Sequence, residues 1–346
     1  MKTLKDFNFK NKRVLVRCDF NVPINEKGDI LDDFRIQKTL PTINYLIEKG
    51  AKIILMSHLD DPEGKMIENL RLDKVKETIE KLLRRPIFKT QDCVGEEVKE
   101  KILSIKEGNV LLLENLRFHE EEEKGELNFA KELSSLGDIY INEAFSVCHR
   151  AHASIVGVAK YLPAGAGLLL KGEIEYLNKI LGNPKKPMVA IIGGKKVETK
   201  AKFINRISKL CKWVLISGLI EKEIREKKTE FNNPEKIIKP VDEKGGGLDI
   251  GPETVKIFRE KIIEAETIVW NGPLGKIEEK EFRKGTEEVV KAIIDSKVFS
   301  VVGGGETVEF IRDLKLLDKF SHVSTGGGAM LAFLAGDKLP GIEALE

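Results

Sequence analysis

Cysteine and aromatic residues are scarce in this sequence of 346 residues. The four cysteines (Cys18, Cys93, Cys148 and Cys211) are far apart, and no two have the Cys-x-x-Cys spacing of a zinc or redox site. This arrangement excludes a disulfide scaffold and predicts reduced thiols in a cytoplasmic protein. Aromatic residues make up 6% of the chain and charged residues 33%, but a hydrophobic content of 41% still predicts a folded globular protein.

The sequence also lacks long apolar runs and a large net charge. No apolar run approaches the roughly 20 residues that span a bilayer, and the N-terminus, Met1-Lys-Thr-Leu-Lys-Asp, lacks the apolar region of a signal peptide. The formal net charge is +2, and the Lys/Arg runs are too short to indicate nucleic-acid binding. We therefore expect neither a membrane nor a nucleic acid as a partner.

Short apolar runs alternate with longer segments of helical periodicity, which is typical of α/β domains with mostly parallel sheets. The chain length favours about two domains. Residues 168–181 have apolar side chains at helical spacing and end in Gly182-Asn183-Pro184, a helix-stop signal, so we interpret this helix as the connection between two halves. Strands are predicted at residues 13–19, 51–57, 110–113 and 138–142, and in the second half at 188–192, 213–217, 267–270, 299–302 and 322–324.

The two halves differ in the residues that follow their strands, where open parallel sheets bind ligands. In the first half these residues are polar or cationic, and they include Arg17, His58, Arg117 and Arg150. Arginine binds carboxylate and phosphate bidentately, so this half suits a small, multiply anionic substrate. In the second half the strands end in glycines, which let backbone N–H groups approach nucleotide phosphates. Two such surfaces predict group transfer across a cleft between two domains.

The segment 189–200, Val-Ala-Ile-Ile-Gly-Gly-Lys-Lys-Val-Glu-Thr-Lys, carries the clearest phosphate-binding signal. It predicts a buried strand, a glycine turn and a helix that begins on lysines, and such a helix N-terminus favours an anion. Lys196 and Lys200 are four residues apart, so we expect both on one face of that helix. The segment does not have the Gly-x-x-x-x-Gly-Lys-Ser/Thr pattern of a P-loop.

Three charged residues near these segments also have ordinary structural explanations. Arg35 follows two aspartates and can simply pair with them at the start of the next helix. Glu278 and Glu306 follow glycine or proline turns, where they could hold a ribose or an Mg²⁺-nucleotide, or could be surface charges.

Two further polar features leave similar alternatives open. His149 and His152 are three residues apart, but no third ligand stands nearby in the sequence, so anion contact and plain packing compete with a metal pair. The acidic run at residues 120–123 is predicted to be a solvated loop.

Specific short motifs occur in order nearly from end to end of the chain. They are Arg17-Cys-Asp-Phe-Asn-Val-Pro23, Ser57-His-Leu59, Glu114-Asn-Leu-Arg-Phe-His119, His149-Arg-Ala-His152, Gly193-Gly-x-Lys-Val197, Asp249-Ile-Gly-Pro-Glu-Thr254, Val269-Trp-Asn-Gly-Pro273, Gly303-Gly-Gly305 and Ser321-His-Val-Ser-Thr-Gly-Gly-Gly-Ala329. Together they resemble the motifs of the phosphoglycerate kinase family, and the third, seventh and last are highly specific.

The resemblance implies an α/β fold with two doubly wound parallel-sheet domains joined by a helix, and a cleft between them. It implies a phosphoglycerate-binding domain at residues 1–160, to which the tail 335–346 returns, a linker helix at 161–182 and a nucleotide-binding domain at 183–334. The implied enzyme is a phosphotransferase with a carboxyl group as acceptor. It transfers a phosphoryl group reversibly between ATP and 3-phosphoglycerate in glycolysis and gluconeogenesis, giving ADP and 1,3-bisphosphoglycerate. Mg²⁺ would accompany the nucleotide, and the chain is expected to act as a monomer.

By motif match, the resemblance also implies roles for individual residues. Those that would hold the phosphoglycerate are Asp19, Phe20, Asn21, Arg35, His58, Leu59, Asp60, Asp61, Arg117 and Arg150, with Arg17, His149 and His152 adding positive charge. Those that would take part in the transfer are Arg35, Lys196, Lys200, Gly304 and Gly327. The nucleotide would contact Lys200, Glu278, Gly304, Gly305, Glu306 and Thr307, with Glu306 near the Mg²⁺ but no residue ligating the metal directly.

The sequence departs from the family pattern at several positions. Asp61 stands where the family has a substrate arginine, and Glu143 replaces an aspartate. The turn after residues 213–217 lacks the usual adenine-site glycines, and the segment from there to Asp249 is short. Three hypotheses therefore stay open: a working kinase with a reduced nucleotide pocket, a kinase with a different acyl-phosphate substrate, and a catalytically impaired relative. The last would bind a phosphometabolite or nucleotide as a sensor or structural protein.

Overall fold

The computed structural model describes all residues from Met1 to Glu346. The chain divides into two compact units, one formed by Met1–Glu173 together with Lys338–Glu346, and the other by Ile174–Asp337. The C-terminal segment thus belongs to the first unit. No helix combines the length and apolar character that crossing a membrane requires.

The first unit contains a six-stranded parallel sheet with the spatial order β3-β4-β2-β1-β5-β6. Its strands are β1 (Arg13–Arg17), β2 (Lys52–Met56), β3 (Phe88–Lys89), β4 (Val110–Leu112), β5 (Ile139–Asn142) and β6 (Ala164–Ala166). The predicted strands β1, β2, β4 and β5 are confirmed, and their continuous apolar runs are buried because helices cover both faces of a parallel sheet. The sequence pattern missed the two edge strands, β3 and β6.

Helices connect these strands and close the core of the first unit. Val14, Val16 and Ile53 of the sheet belong to one apolar cluster with Ile43 and Ile79, which lie on the first two helices. The helices are α1 (Phe34–Glu48), α2 (Asp73–Leu83), α3 (Glu96–Ser104), α4 (Glu120–Lys124) and α5 (Leu127–Ser135).

Helix α4 contradicts the prediction of a solvated loop at residues 120–123. The run is helical, and the side chain of Glu122 is fully buried. Its carboxylate accepts hydrogen bonds from the backbone N–H of Ser154 at 2.9 Å and from the hydroxyl of Ser154 at 2.5 Å, and it lies 3.7 Å from Arg17. These partners are distant in the sequence, so the acidic run alone did not indicate that Glu122 forms a buried ion pair with Arg17.

The second unit contains another six-stranded parallel sheet, in the order β14-β13-β12-β7-β8-β9, and a small antiparallel pair, β10-β11. All five strands predicted here are confirmed, whereas β9, β10 and β11, of two residues each, were missed. The strands are β7 (Met188–Ile192), β8 (Trp213–Ile216), β9 (Ile237–Ile238), β10 (Glu243–Lys244), β11 (Asp249–Ile250), β12 (Thr267–Asn271), β13 (Phe299–Gly303) and β14 (His322–Val323).

Helix α6 (Leu168–Gly182) is the predicted helix between the halves, and the division between the units falls within it, after Glu173. Residues 164–166 of the predicted linker form β6 of the first sheet. The remaining helices are α7 (Glu198–Ile207), α8 (Gly218–Lys227), α9 (Pro252–Ile263), α10 (Lys284–Ser296), α11 (Gly305–Asp313), α12 (Gly327–Leu334) and α13 (Pro340–Glu343), of which the last belongs to the first unit.

Both sheets place their first strand in an interior position. Strand β1 lies between β2 and β5, and strand β7 lies between β8 and β12. At such a position the chain leaves toward opposite sides of the sheet, and a crevice opens beyond the carboxyl ends of the strands. The polar residues of the first half follow β1 and its neighbours, and the glycines of the second half follow β7 and its neighbours.

Candidate functional site

A continuous network of hydrogen bonds links polar residues that follow strands β1 and β2 in the first unit. Arg35 on α1 lies 2.8 Å from the carboxylate of Asp19 and donates a hydrogen bond at 2.9 Å to the backbone carbonyl of Asn21. The side-chain oxygen of Asn21 accepts from the backbone N–H of Asp60 at 2.8 Å, and the carbonyl of Asp60 accepts from Nη1 of Arg117 at 2.7 Å. The structure therefore brings together residues that are widely separated in the sequence.

A cluster of basic residues lies beside this network and shares Arg117 with it. This basic cluster consists of Arg17, His58, Arg117, Arg150 and His152. Arg17 is fully buried, donates from Nε to the hydroxyl of Ser154 at 2.7 Å, and has Nη2 3.2 Å from Nδ1 of His58. Arg117 and Arg150 approach the same carboxylate oxygen of Glu123, at 2.9 Å and 3.5 Å. No sequence motif assigned a role to Glu122, Glu123 or Ser154, since only the fold brings them to the arginines.

The charge of the basic cluster comes from its arginines. Burial, followed by the charges of Arg17 and Arg117, lowers the pKa of His58 well below its usual value. The same causes lower the pKa of His152 to about 3. Both imidazoles are therefore neutral near pH 7. Two buried nitrogens, Nε of Arg117 and Nδ1 of His152, have no hydrogen-bond partner in the protein, and a buried polar group without a partner destabilises the ligand-free state.

Four other predicted substrate residues differ in accessibility. The side chains of Phe20 and Leu59 belong to the apolar core, and their backbone N–H groups donate to Ser57 and Asn115 at 2.8 Å and 3.2 Å. Asp60 and Asp61 are exposed on the loop after β2. Burial lowers the pKa of the Arg117 guanidinium, and the charges of Glu123 and Asp61 act in the opposite direction.

In the second unit, a cavity of about 420 Å³ opens beyond the carboxyl ends of β7, β12 and β13. The loops after these strands supply its wall, together with the first turns of α7 and α11. The cavity is lined by Gly194, Lys195, Lys196, Thr199, Lys200, Asn271, Gly272, Pro273, Gly304, Gly305, Glu306 and Thr307.

Lys200 is the buried cation of this cavity. Its ammonium group donates a hydrogen bond to the carbonyl of Gly193, and burial lowers its pKa to about 8 against the opposing charge of Glu306. Gly194 and Gly272 leave room for it, since a Cβ would stand 2.6 Å and 2.9 Å from Nζ, respectively. Both glycines also have positive φ angles, of 93° and 89°, which other residues rarely adopt.

Lys196 does not lie on the helix with Lys200, so that prediction is wrong. Helix α7 begins at Glu198, and Lys196 is exposed in the preceding turn, although it still lines the cavity. The backbone N–H of Val197, just before the helix, donates to the carboxylate of Glu223 at 2.5 Å. A glutamate on α8 thus accepts the N–H group of the residue that precedes α7, and the local sequence does not indicate that contact.

The remaining predicted nucleotide residues surround the same cavity or an adjoining one. Gly304, with φ of 99°, precedes the first turn of α11, and Gly327 lies against it: a Cβ at Gly327 would be 3.6 Å from the Cα of Gly304. Glu278 lines a small recess next to the cavity, and Glu306 lines both.

Two buried polar groups of the cavity have no partner within the protein. They are the side-chain amide nitrogen of Asn271 and the hydroxyl of Thr307. Asn271 belongs to the Trp-Asn-Gly-Pro motif, but the sequence interpretation gave it no role. Both residues line the cavity together with Lys200, and each keeps an unused hydrogen-bonding group at its wall.

The comparisons with known proteins show which family the chain is similar to. A sequence model of the phosphoglycerate kinase family matches residues 4–230 and 220–337. The phosphoglycerate kinases of Dictyoglomus turgidum and Moorella thermoacetica are each 43% identical to this chain, over 388 and 387 residues, which cover 99% of this chain and 98% of either relative. These alignments exceed the 346 residues of the chain, so the relatives contain residues that it lacks. The two family matches overlap at residues 220–230, inside the segment predicted to be short.

Solved structures give the same result at the level of the fold. The phosphoglycerate kinase of Pyrococcus horikoshii OT3 superimposes with a TM-score of 0.90 at 34% identity, covering 100% of this chain and 98% of that one. The enzyme of Coxiella burnetii superimposes with a TM-score of 0.83 at 32% identity, covering 99% and 98%. The predicted fold class, two doubly wound parallel-sheet domains, is confirmed.

Proposed function

The chain belongs to the phosphoglycerate kinase family, and we propose that its two polar sites divide the substrates of that family's reaction between them. The enzyme is a phosphotransferase, and its reaction is the reversible transfer of a phosphoryl group between ATP and 3-phosphoglycerate. Similarity over nearly the whole chain favours this function over a catalytically impaired relative. The observation that carries the proposed division is that each site contains buried donors without a protein partner.

The basic cluster of the first unit, together with Arg35, binds 3-phosphoglycerate in this proposal. That substrate has a carboxylate and a phosphate, and arginine guanidinium groups bind both bidentately. Arg35 is held by Asp19 and Arg117 by the carbonyl of Asp60, so both are positioned before a ligand arrives. The unpartnered Nε of Arg117 then gains the acceptor that it lacks.

The cavity of the second unit binds the phosphates of the nucleotide. Lys200 supplies a buried positive charge, and Asn271 and Thr307 supply donors that no protein group uses. The start of α11, at Gly304 and Gly305, adds backbone N–H groups, and the helix dipole there favours an anion. Glu278 lines the adjoining recess, and in this proposal it accepts hydrogen bonds from the ribose.

The residues of this cavity also suit a nucleotide-borne Mg²⁺. Magnesium prefers oxygen ligands, usually one or two carboxylates together with substrate phosphates. Glu306 brings a carboxylate to the wall of the cavity, and its charge acts on Lys200. The ion would neutralise phosphate charge there, while Lys196 and Lys200 stabilise the charge that develops on the phosphoryl group during transfer.

We propose in addition that the enzyme acts as a monomer in the cytoplasm. Residues of one unit make up each site, so no second copy is needed to complete either. The four cysteines are buried as free thiols, and they need no oxidising compartment.

Replacement of Lys196 tests the assignment of the transferred phosphate. Lys196→Ala should lower kcat by about 10²-fold or more while changing the KM of either substrate much less, because its contact strengthens as charge develops. Steady-state rates with ATP, Mg²⁺ and 3-phosphoglycerate measure both constants. Lys202→Ala, which removes an exposed lysine of α7 paired with Asp337, is the matched control. An unchanged kcat in Lys196→Ala would exclude this residue from the transfer.

A further inference from the structure

Glu123 lies among the arginines that would bind the substrate, although no motif assigned it a role. One of its carboxylate oxygens is 2.9 Å from Nη2 of Arg117, 3.5 Å from Nη1 of Arg150 and 3.9 Å from Nε2 of His152. The side chain is 33% exposed, whereas that of Arg117 is 7% exposed. A partly exposed ion pair contributes little to stability, so stability alone does not account for a carboxylate at this position.

The partners of the three guanidinium nitrogens of Arg117 show which of its hydrogen-bond donors Glu123 occupies. Nη1 donates to the carbonyl of Asp60, Nη2 faces Glu123, and Nε is buried with no partner. Nε and Nη2 form one edge of the planar group, the edge on which a carboxylate or phosphate makes two parallel hydrogen bonds. Glu123 uses only half of that edge. Because Nε is also shielded from solvent, a ligand reaches the edge only after a neighbour moves.

We propose that Glu123 is an internal competitor of 3-phosphoglycerate: its carboxylate holds Arg117 and Arg150 in the ligand-free enzyme, and an anionic group of the substrate displaces it. The proposal rests on the proposed binding of phosphoglycerate to the basic cluster. The exchange is favourable because the incoming anion satisfies Nε as well as Nη2. Glu123 itself is on the short helix α4 at the surface, so its carboxylate turns to solvent without leaving a buried charge.

An internal competitor also makes the site selective for charge. A ligand binds only if its own contacts outweigh those that Glu123 gives up. A singly charged anion gains little over the carboxylate that it replaces, whereas a molecule that carries both a dianionic phosphate and a carboxylate gains more. Glu123 thereby discriminates against small monovalent anions, and it offsets part of the positive charge of two adjacent arginines while the site is empty.

The test compares Glu123→Gln with Glu120→Gln in the full-length chain. Both changes remove one negative charge from α4, but Glu120 is exposed and pairs with Lys124, outside the basic cluster. Calorimetric titration with 3-phosphoglycerate at fixed ionic strength should show that Glu123→Gln lowers Kd about five- to tenfold, because the ligand no longer displaces a charge-assisted hydrogen bond. Glu120→Gln should leave Kd within about twofold.

Two further readouts separate competition from a structural role. Glu123→Asp keeps the charge but shortens the side chain, so its Kd should lie between those of the wild type and Glu123→Gln. In steady-state assays, Glu123→Gln should lower the KM for 3-phosphoglycerate and leave the KM for ATP unchanged, which a general loosening of the fold would not do.

The outcomes distinguish this inference from the function on which it rests. If the wild type binds 3-phosphoglycerate and Glu123→Gln binds it equally well, Glu123 does not compete. If Glu123→Gln binds more weakly, Glu123 positions the arginines instead, and the inference is wrong while the proposed function stands. If the wild type and all three variants fail to bind 3-phosphoglycerate, the proposed function of the basic cluster fails, and the inference fails with it.

Discussion

Lys200 illustrates, at the scale of single residues, how burial prepares a functional group for its ligand. Its ammonium is buried against a backbone carbonyl, and its pKa is lowered from 10.5 to about 8. In the absence of an anion, the ammonium group of Lys200 therefore loses its proton as the pH rises through about 8. Phosphates beside Lys200 favour the charged form and should return its pKa toward the ordinary range of lysine.

We expect ATP binding to be coupled to proton uptake at alkaline pH. At about pH 9 the free enzyme has a largely neutral Lys200, and the bound phosphates restore its charge, so up to about one proton is taken up. Calorimetric titration of ATP in buffers of different ionisation enthalpy measures this number. Lys200→Met should abolish the uptake, and Lys202→Met should not. Binding by the wild type without proton uptake would show that Lys200 does not meet the phosphates.

Asp61 is the residue whose charge is least expected at a site for an anionic substrate. It is exposed on the loop after β2, and its charge acts on Arg117. If this loop approaches the phosphoglycerate, the carboxylate repels both anionic groups of the substrate. In the folded protein, the negative charge of Asp61 therefore still acts on an arginine that is proposed to bind the substrate.

Asp61→Arg should lower the KM for 3-phosphoglycerate by about tenfold, because it removes a repulsion and adds a bidentate donor. Steady-state kinetics at fixed ionic strength measure the change. Glu63→Arg makes the same change of charge two residues further along the same exposed loop. Equal effects of the two substitutions would indicate a general change in surface potential, and no effect of either would place this loop away from the substrate.

At the scale of elements, the start of α6 depends on a buried carboxyl group. Glu143, which follows β5, accepts hydrogen bonds from the backbone N–H groups of Leu169 at 3.2 Å and Leu170 at 2.9 Å, and from the hydroxyl of Thr42. These bonds satisfy N–H groups that the first turn of a helix leaves without partners. Residue 167 is a glycine because a Cβ there would overlap the carboxyl of Glu143. Burial nevertheless raises the pKa of Glu143 to about 7.

The pH dependence of stability should carry the signature of Glu143. Its folded-state pKa of about 7 lies above its ordinary value of 4.5, so the folded protein binds more protons than the unfolded chain in this range. The contribution of Glu143 is fully present below pH 4.5 and is lost as the pH rises through 7. Relative to Glu143→Gln, the wild type should lose up to about 3 kcal/mol of unfolding free energy over this range. Urea denaturation of both proteins measures the difference, and parallel pH profiles would contradict the account.

Most elements were predictable from the sequence, and the failures have physical causes. Buried parallel strands such as β7 are continuous apolar runs, so the local sequence pattern is enough to locate them. Strands such as β3 and β9 have two residues and exist because a neighbouring strand offers hydrogen bonds, which no local pattern records. Helix α4 was mistaken for a loop because its stabilising partners, Arg17 and Ser154, come from other parts of the chain.

At the scale of the whole molecule, two units with the same plan carry different chemistry. Each has a six-stranded parallel sheet whose first strand is interior, and each presents its functional residues after that strand and its neighbours. The contrast between arginines in one half and glycines in the other was visible in the sequence and predicted the two kinds of site. The pairing of individual groups was not, because contacts such as Arg35 with Asp19, or Glu123 with Arg150, depend on the folded chain.

The division of the two substrates between the two units is the central claim, and initial-rate kinetics with one variant in each unit test it most directly. The wild type should form 1,3-bisphosphoglycerate only when ATP, Mg²⁺ and 3-phosphoglycerate are all present. Arg117→Lys, which loses the bidentate edge, should raise the KM for 3-phosphoglycerate about tenfold or more and leave the KM for ATP within about twofold. Asn271→Ala should do the reverse. Absence of turnover in the wild type, or variants that each affect the other unit's substrate, would contradict the account.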